Sequence, residues 1–373
     1  MSPMKEITTA DPGAWFEALG TAPYDFYHLP QYHALAEQRG EGEARLFHYT
    51  EGRFSIALPL LLRGPIHHCA FGGVDMGNWQ DATSVYGYAG PVCSHEAIPD
   101  SVVAAFGADL EETLRQARVV SVFSRLHPLL PQVGALAGLG ECPEVSRTVS
   151  IDLSEPVDVQ RSHYRQGYRG KIQKLQRQGV TCVYDADDAY LDDFIDIYEE
   201  TMRRVGAAEM YFFPHAYYEQ LRLALGPRLH VFACLHEGQP IAAALFGSCQ
   251  GFFQYHLGGA RDAALPLSPM RMLMDEARQW ATEHGYRVFH LGGGASGRPD
   301  DSLLRFKTGF SDRTHAFRVW RWVLFPEVYR QLCQDKALLN ARLGVRSKPG
   351  FFPEYRSPIV PCATAAVAEE APV

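Results

Sequence analysis

None of the eight cysteines in this 373-residue chain stands in a C-x-x-C pair or at metal-ligand spacing from another. That excludes a cysteine-built metal site and leaves scattered, reduced thiols. The fifteen histidines contain no H-x-x-x-H helix pair, and His67 and His68 are neighbours that a strand points apart, so no metal is expected. The opening "MSPMKEITTADPGAWF" lacks a basic segment followed by an apolar one and does not read as a secretory signal. No stretch approaches the roughly 18 apolar residues of a membrane span. A net charge of −8 excludes a surface coated in cations but leaves room for a local basic patch. A cytoplasmic location and a monomer are the expectations. Low-complexity sequence is absent before residue 360, and only 361–373, ending "CATAAVAEEAPV", reads as a disordered tail.

What is present is core material: 46% hydrophobic and 12% aromatic residues, in a chain long enough for two domains. The segment "YHLPQYHALAEQRG" (27–40) reads as a helix, followed by a hairpin turning at "TEGR". Residues 229–259 read as strands joined at "HEGQ" and "CQG". A helix over 268–285 opens at Ser268 and Pro269 and closes at Gly285, and the strand "YRVFHL" (286–291) runs into "GGG". This order of elements resembles that of GNAT-type acyltransferases, repeated twice. It implies an α/β fold of the α+β kind: two tandem GNAT-like units packed together, each a mixed, mostly antiparallel sheet flanked by helices. Unit 1 is expected over 1–150, completed by a C-terminal helix within 326–360, and unit 2 over 151–325.

Two stretches carry chemistry. Between 161 and 178, "RSHYRQGYRGKIQKLQRQ" holds six cations and no acid. Tyr164, Tyr168, Ile172 and Leu175 recur at helical spacing and predict a buried face. Like charges at i,i+4 repel, so the segment is either a surface for phosphates or a basic face in water. The second stretch is "LGGGASGRPDDSLLRFKTGFS" (291–311). Consecutive glycines let backbone approach a ligand without a Cβ penalty, yet neither a dinucleotide fingerprint nor G-K-[ST] is present. A helix over 301–309 predicts a buried stripe of Leu303, Phe306 and Phe310 with Lys307 at its edge. There a lysine either snorkels to water or delivers its ammonium into a pocket.

Taken with "DFYHLPQYHALAE" (25–37), "DATSVYGYAGPV" (81–92), "YEETMRRVGAAEMYFFPHAYYEQL" (198–221) and "LPLSPMRMLMDEARQWATEHGYRVFHLGGG" (265–294), these stretches resemble the Fem family of aminoacyl transferases and its double-GNAT relatives. The resemblance spans roughly residues 25–325 and is distributed along them. Phe306, Lys307 and Phe310 match the family's F-K-x-x-F motif, which implies Lys307 as the residue stabilising the tetrahedral intermediate, with Phe306 beside it. It further implies acceptor contacts from Asp81, Tyr86 and Tyr88. Tyr211, Tyr217 and Arg204 are further acceptor-site candidates, and Arg165, Tyr168, Arg169, Lys171 and Lys174 candidates for the donor's phosphates.

The implied function is transfer of an amino acid from aminoacyl-tRNA, as co-substrate and with no cofactor, to an amine or hydroxyl of a small-molecule or peptidoglycan-precursor acceptor. An acyl-CoA-dependent N-acyltransferase is the first alternative; against it, "GGARDAALPLSPMRM" has proline and serine where the CoA-binding glycine turn belongs. A non-catalytic binding protein on the same fold is the second. His163, His256 and His290 each stand as a possible base, although the attacking amine can also lose its proton to water or to the leaving oxygen.

Overall fold

The computed structural model describes residues 4–64, 78–295, 297–298 and 300–361. The first run of elements is β1 (Lys5–Ile7), α1 (Pro12–Leu19), α2 (Pro30–Gln38), β2 (Glu43–Glu51), β3 (Phe54–Arg63), β4 (Gln80–Thr83), β5 (Val92–Cys93), α3 (Asp100–Gln116) and β6 (Val119–Arg125). The second begins with β7 (Glu144–Asp152), α4 (Val157–Ser162), α5 (Tyr168–Arg177), β8 (Thr181–Asp185), α6 (Leu191–Arg204) and α7 (His215–Leu225). It continues with β9 (Leu229–His236), β10 (Gln239–Cys249), β11 (Phe252–Ala260), α8 (Met270–Glu283), β12 (Val288–Gly293) and α9 (Ser302–Lys307). Last come β13 (Thr314–Val323), α10 (Pro326–Leu343), β14 (Val345–Ser347) and β15 (Ile359–Pro361). The pair His67–His68 and the tail beyond 361 lie outside the described residues. Among the described residues, no helix is long and apolar enough to cross a membrane.

Among the described residues, β1–β13 form one thirteen-stranded sheet, in the order β1-β2-β3-β4-β6-β13-β7-β12-β11-β10-β9-β8, with β5 paired to β3, and β14 pairs with β15 in a separate two-stranded sheet. All pairings are antiparallel except β4 with β6 and β11 with β12. The join is β13: Val319–Val323 pair with β6 and Thr314–Arg318 with β7. Residue 150, where the sequence suggested a boundary, lies inside β7. Turns set the register of the later strands. Glu237 and Gly238 both take positive φ (52° and 76°), as do Gln250 and Gly251 (43° and 88°), the two-residue geometry that matches strand twist.

Helices cover both faces. On one, α1, α2, α6 and α7 share a core of Trp15, Phe26, Tyr32, Phe194, Tyr218 and Leu245 that spans both ends of the chain. On the other, α5 and α8 pack Ile172, Leu175, Leu273 and Ala277 against Phe246, Phe253 and Phe289. At the first end, α3 buries Phe106 and Leu110 against β2, β3 and β13, and α10 places Leu332 on Val120 of β6.

Three local expectations need correction. The basic segment is not one helix: it breaks between α4 and α5 at Gly167 (φ 88°), because the Arg165 N–H donates to the Gly309 carbonyl and ties the chain toward α9. Tyr164, Tyr168, Ile172 and Leu175 are nonetheless all buried. The stripe on α9 is also displaced. That helix ends at Lys307, so Leu304 packs inward with Phe306 and Phe310 while Leu303 is exposed. Ser268 does not cap α8; it takes φ 59° and its N–H turns back onto Leu265 O.

Candidate active site

The glycine run that ends β12 makes room for two side chains. A Cβ on Gly292 (φ 76°) would come within 3.2 Å of Lys307 Nζ and 3.4 Å of Tyr88 Oη. A Cβ on Gly294 would strike the Asp301 carboxylate, which caps α9 by accepting from the Leu304 N–H. Glycine is therefore what lets α9 start so close to the strand. Lys307, at the end of that helix, is 5% exposed; its Nζ donates to Gly293 O at 2.7 Å and lies 5.3 Å from the Tyr255 ring centre. Burial lowers its pKa to about 7, against the opposing pull of the Asp301 carboxylate. The lysine neither snorkels nor sits at the edge of a stripe. It is a buried amine whose charge is poised near neutrality.

Tyr88 faces it across Gly292. Its ring lies 5.1 Å from His290 and 5.3 Å from Phe317, and burial raises its pKa to about 12 even though the Gly293 backbone favours the ionised phenol. Tyr86 continues the wall, edge-on to Tyr211 at 6.3 Å and to His256 at 5.8 Å. Tyr217 stands behind, stacked on Phe213 at 4.3 Å under the Arg39 guanidinium. Of these four tyrosines, Tyr88 is the one that meets Lys307, across Gly292.

Beneath them lies a polar chain that the sequence did not announce. The buried Asp25 carboxylate accepts from Gln254 Nε2 and from His127 Nε2, the latter at 3.1 Å. Gln254 Oε1 meets His290 Nδ1 at 2.6 Å, leaving His290 Nε2 buried and without a partner. Burial first, then the charges of His127 and Lys307, push the His290 pKa well down. His256, with neither ring nitrogen partnered, is pushed down to about 4. Both are neutral at pH 7.

On the opposite side of α9 is a cleft of about 310 Å³ lined by Arg165, Tyr168, Lys171, Arg271, Arg305 and Phe306. Tyr168 Oη donates to Phe306 O (3.1 Å) under the Arg271 guanidinium, 4.9 Å from its ring centre. Arg165 reaches Thr308 Oγ1 at 3.2 Å, and Arg271 Nε is buried without a partner. Four cations and no carboxylate make this an anion site by composition. Arg271 and Arg305 were not foreseen as members. Arg169 and Lys174 are exposed on α5 and do not line it.

Two expected acceptor residues stand apart. Both oxygens of buried Asp81 are engaged, one by Arg63 Nε at 2.7 Å and the other by Arg356 Nε at 2.8 Å. Arg204 pairs with Asp262 and donates to Ala260 O at the end of α6. His163 faces Glu155 at 3.3 Å, away from Lys307. Among the described residues, no group of three or more His, Cys, Asp or Glu could hold a metal ion.

One family model and several known proteins are similar to this chain. A family model described as an acetyltransferase (GNAT) domain matches residues 162–308, from the end of α4 through Lys307. The UDP-N-acetylmuramoylpentapeptide-lysine N(6)-alanyltransferase of Weissella viridescens is 24% identical over 209 residues, 55% of this chain and 57% of that protein. The chain thus spans little more than half of that relative's length. The crystal structure of FemX superposes with a TM-score of 0.65 at 13% identity, over 88% of this chain and 99% of that one. L-PGS from Bacillus licheniformis does so at 0.51 and 15% identity, over 84% and 96%. The chain thus carries a GNAT-domain match over 162–308, is similar at low identity to a Fem-type alanyltransferase, and shares its fold with FemX.

Proposed function

We propose that this protein is an acyltransferase that moves an aminoacyl group from aminoacyl-tRNA to an amine or hydroxyl of a small-molecule or peptidoglycan-precursor acceptor. The observation that carries the reading is Lys307, a buried amine held on the Gly293 carbonyl at 2.7 Å between a tyrosine wall and a four-cation cleft. Attack on an ester carbonyl moves negative charge onto its oxygen. A preorganised cation in a site of low dielectric stabilises that charge far more than water-exposed lysine does. Phe306 and Phe310 pack edge-on at 5.3 Å and keep water from the lysine stem. Tyr86 and Tyr211 form the acceptor wall, backed by Tyr217, and Tyr88 stands where that wall meets Lys307.

On the donor side, Arg165, Lys171, Arg271 and Arg305 take phosphates, with Tyr168 as a flat surface beneath Arg271. The Weissella relative is named for alanyl transfer to a lysine N6, which supports an amine as acceptor. The reaction belongs in the cytoplasm, where aminoacyl-tRNA is found. No metal or cofactor enters this scheme. The acyl-CoA reading retains one favourable observation: the four-cation cleft suits a nucleotide pyrophosphate as well as an RNA backbone.

The test is direct. Purified protein is incubated with radiolabelled aminoacyl-tRNA pools, with and without RNase, and in parallel with labelled acetyl-CoA. RNase-sensitive transfer to an amine supports the proposal. Transfer from acetyl-CoA alone replaces it with the second reading, and transfer from neither leaves a binding protein.

A further inference from the structure

Lys307 is not alone at its glycine. Its Nζ donates to the Gly293 carbonyl, and the same residue's backbone favours the ionised oxygen of Tyr88. Two side chains, one from α9 and one from the loop between β4 and β5, thus converge on one residue at the end of β12. Both reach toward the spot a Cβ on Gly292 would fill, Lys307 Nζ at 3.2 Å and Tyr88 Oη at 3.4 Å. Lys307 has hydrogens to spare after its one bond. No acceptor among the described residues takes the phenol proton of Tyr88, whose side chain is only partly buried.

The surroundings fix this arrangement. A carboxylate can only accept, so Asp25 draws the amide NH₂ of Gln254 toward itself and turns Oε1 onto His290 Nδ1. That places the imidazole hydrogen on Nδ1. His290 therefore carries no donor on Nε2 to compete for the site, and its ring lies edge-on to Tyr88. The titratable groups around the pair are Asp301 beside Gly294, His290 on β12, Arg125 at the end of β6, His127 just past it, His315 on β13, Tyr211, and Asp25 ahead of the turn at 26–28. With the His290 imidazole neutral, Lys307 is the positive charge beside the shared space and Tyr88 the neutral donor there.

We propose that Tyr88 is a second catalytic donor, its hydroxyl and the Lys307 ammonium closing on one carbonyl oxygen across Gly292. The inference rests on the transfer reading given above. As the acceptor nitrogen bonds to the ester carbon, the carbonyl π pair moves onto oxygen and is held by both donors. When that pair re-forms the double bond, the bond from carbon to the ribose oxygen breaks, and the acceptor's proton ends on that leaving oxygen. Neither Tyr88 nor Lys307 gains or loses a proton over the cycle. Two convergent donors that stay fixed are what an oxyanion site requires.

The experiment separates a donor to the oxyanion from a wall that merely holds the acceptor. Tyr88→Phe keeps the ring and is expected to lower kcat by about 10- to 100-fold with the acceptor KM unchanged. A wall residue gives the reverse, a raised KM at constant kcat. In the double variant with Lys307→Met, the combined loss is expected to fall short of the product of the single losses, because both act on one oxygen. Gly292→Ala, which fills the shared space, is expected to lose kcat as well. Calorimetry with 1-aminoethylphosphonate, whose tetrahedral oxygens mimic the intermediate, reads the site without turnover. Tyr88→Phe should weaken it about tenfold. Unchanged kcat and unchanged phosphonate binding in Tyr88→Phe overturn the proposal. Phosphonate binding that depends on Tyr88, with no transfer from aminoacyl-tRNA, overturns the donor assignment and leaves the Tyr88 role standing.

Discussion

The two sides of α9 hold positive charge in opposite ways. On the inner side a single amine, Lys307, is withdrawn from water, and its pKa falls to about 7. On the outer side Arg165, Lys171, Arg271 and Arg305 share one open cleft, and water screens their mutual repulsion. Charge in a dry site acts strongly over a few ångströms and is little affected by salt. Charge in a wet cleft acts weakly per residue, depends on salt, and recruits polyanions by number. One six-residue helix thus separates a dry charge from a wet cluster of them.

The largest effect expected from breaking the inner side is catalytic. Lys307→Met should lower the single-turnover rate by about 10²–10³-fold while equilibrium binding of donor and acceptor changes little. Wild-type turnover in this variant would return Lys307 to a structural role.

The same substitution should stabilise the protein. The folded pKa of about 7 lies below the free lysine value of 10.5, so between those limits the unfolded chain binds the extra proton. Stability therefore rises with pH across that window, and below it the full cost of the buried ammonium is present. Lys307→Met should remove this slope and gain on the order of 4 kcal/mol at pH 7. Urea melts of both proteins at pH 7 and pH 10 measure it.

Asp81 supplies a control from a third environment. Asp81→Asn leaves Arg63 and Arg356 without their shared carboxylate, and should cost roughly 2 kcal/mol of stability. Transfer by the folded fraction should stay at the wild-type rate. A lost rate with intact stability would restore Asp81 to the acceptor site.

The outer side responds to salt. Reversing Lys171 and Arg271 to glutamate should flatten the log–log dependence of donor affinity on salt by about 0.7 for each phosphate that is no longer neutralised. All aminoacyl-tRNAs should weaken alike, because cations on phosphates position the donor without reading its sequence. Arg169 and Lys174 lie off the cleft and should contribute less to that slope. The smallest effect belongs to Arg204→Ala: its partner is Asp262 at the surface, so stability should change by less than about 1 kcal/mol and transfer not at all.

Local pattern made much of this site legible, and tertiary packing decided the rest. Lys307 could be found because two phenylalanines and a glycine run mark its short helix. The phase of that helix could not, since over six residues Leu303 and Leu304 are nearly equivalent and packing alone chooses Leu304. Gly167 within a basic run reads as a tolerated helix glycine until the Arg165 N–H finds Gly309. Arg271 and Arg305 are isolated cations in sequence, and only the packing of α5 against α8 and α9 gathers them with Lys171. The Asp25–Gln254–His290 chain gave no signal at all. Its members are separated by 229 and 36 positions, and the β11–β12 register brings the last two side by side. Asp81 misled because an acid among glycines and tyrosines resembles a cleft residue, whereas arginines 18 and 275 positions away neutralise it.

The sharing of β13 has a consequence for biosynthesis. The sheet edge offered by β6 stays open until residue 323 is made, and α10, which covers β6, follows later still. Everything between, from β7 to α9, must be synthesised while that edge waits. Pairings so distant in sequence are slow to form and leave exposed strand edges meanwhile. A ribosome-bound chain truncated before β13 should therefore be protease-sensitive along β6 even where β1–β3 have already paired. The two ends of the sheet are expected to become resistant together, when the strand that both of them use has emerged.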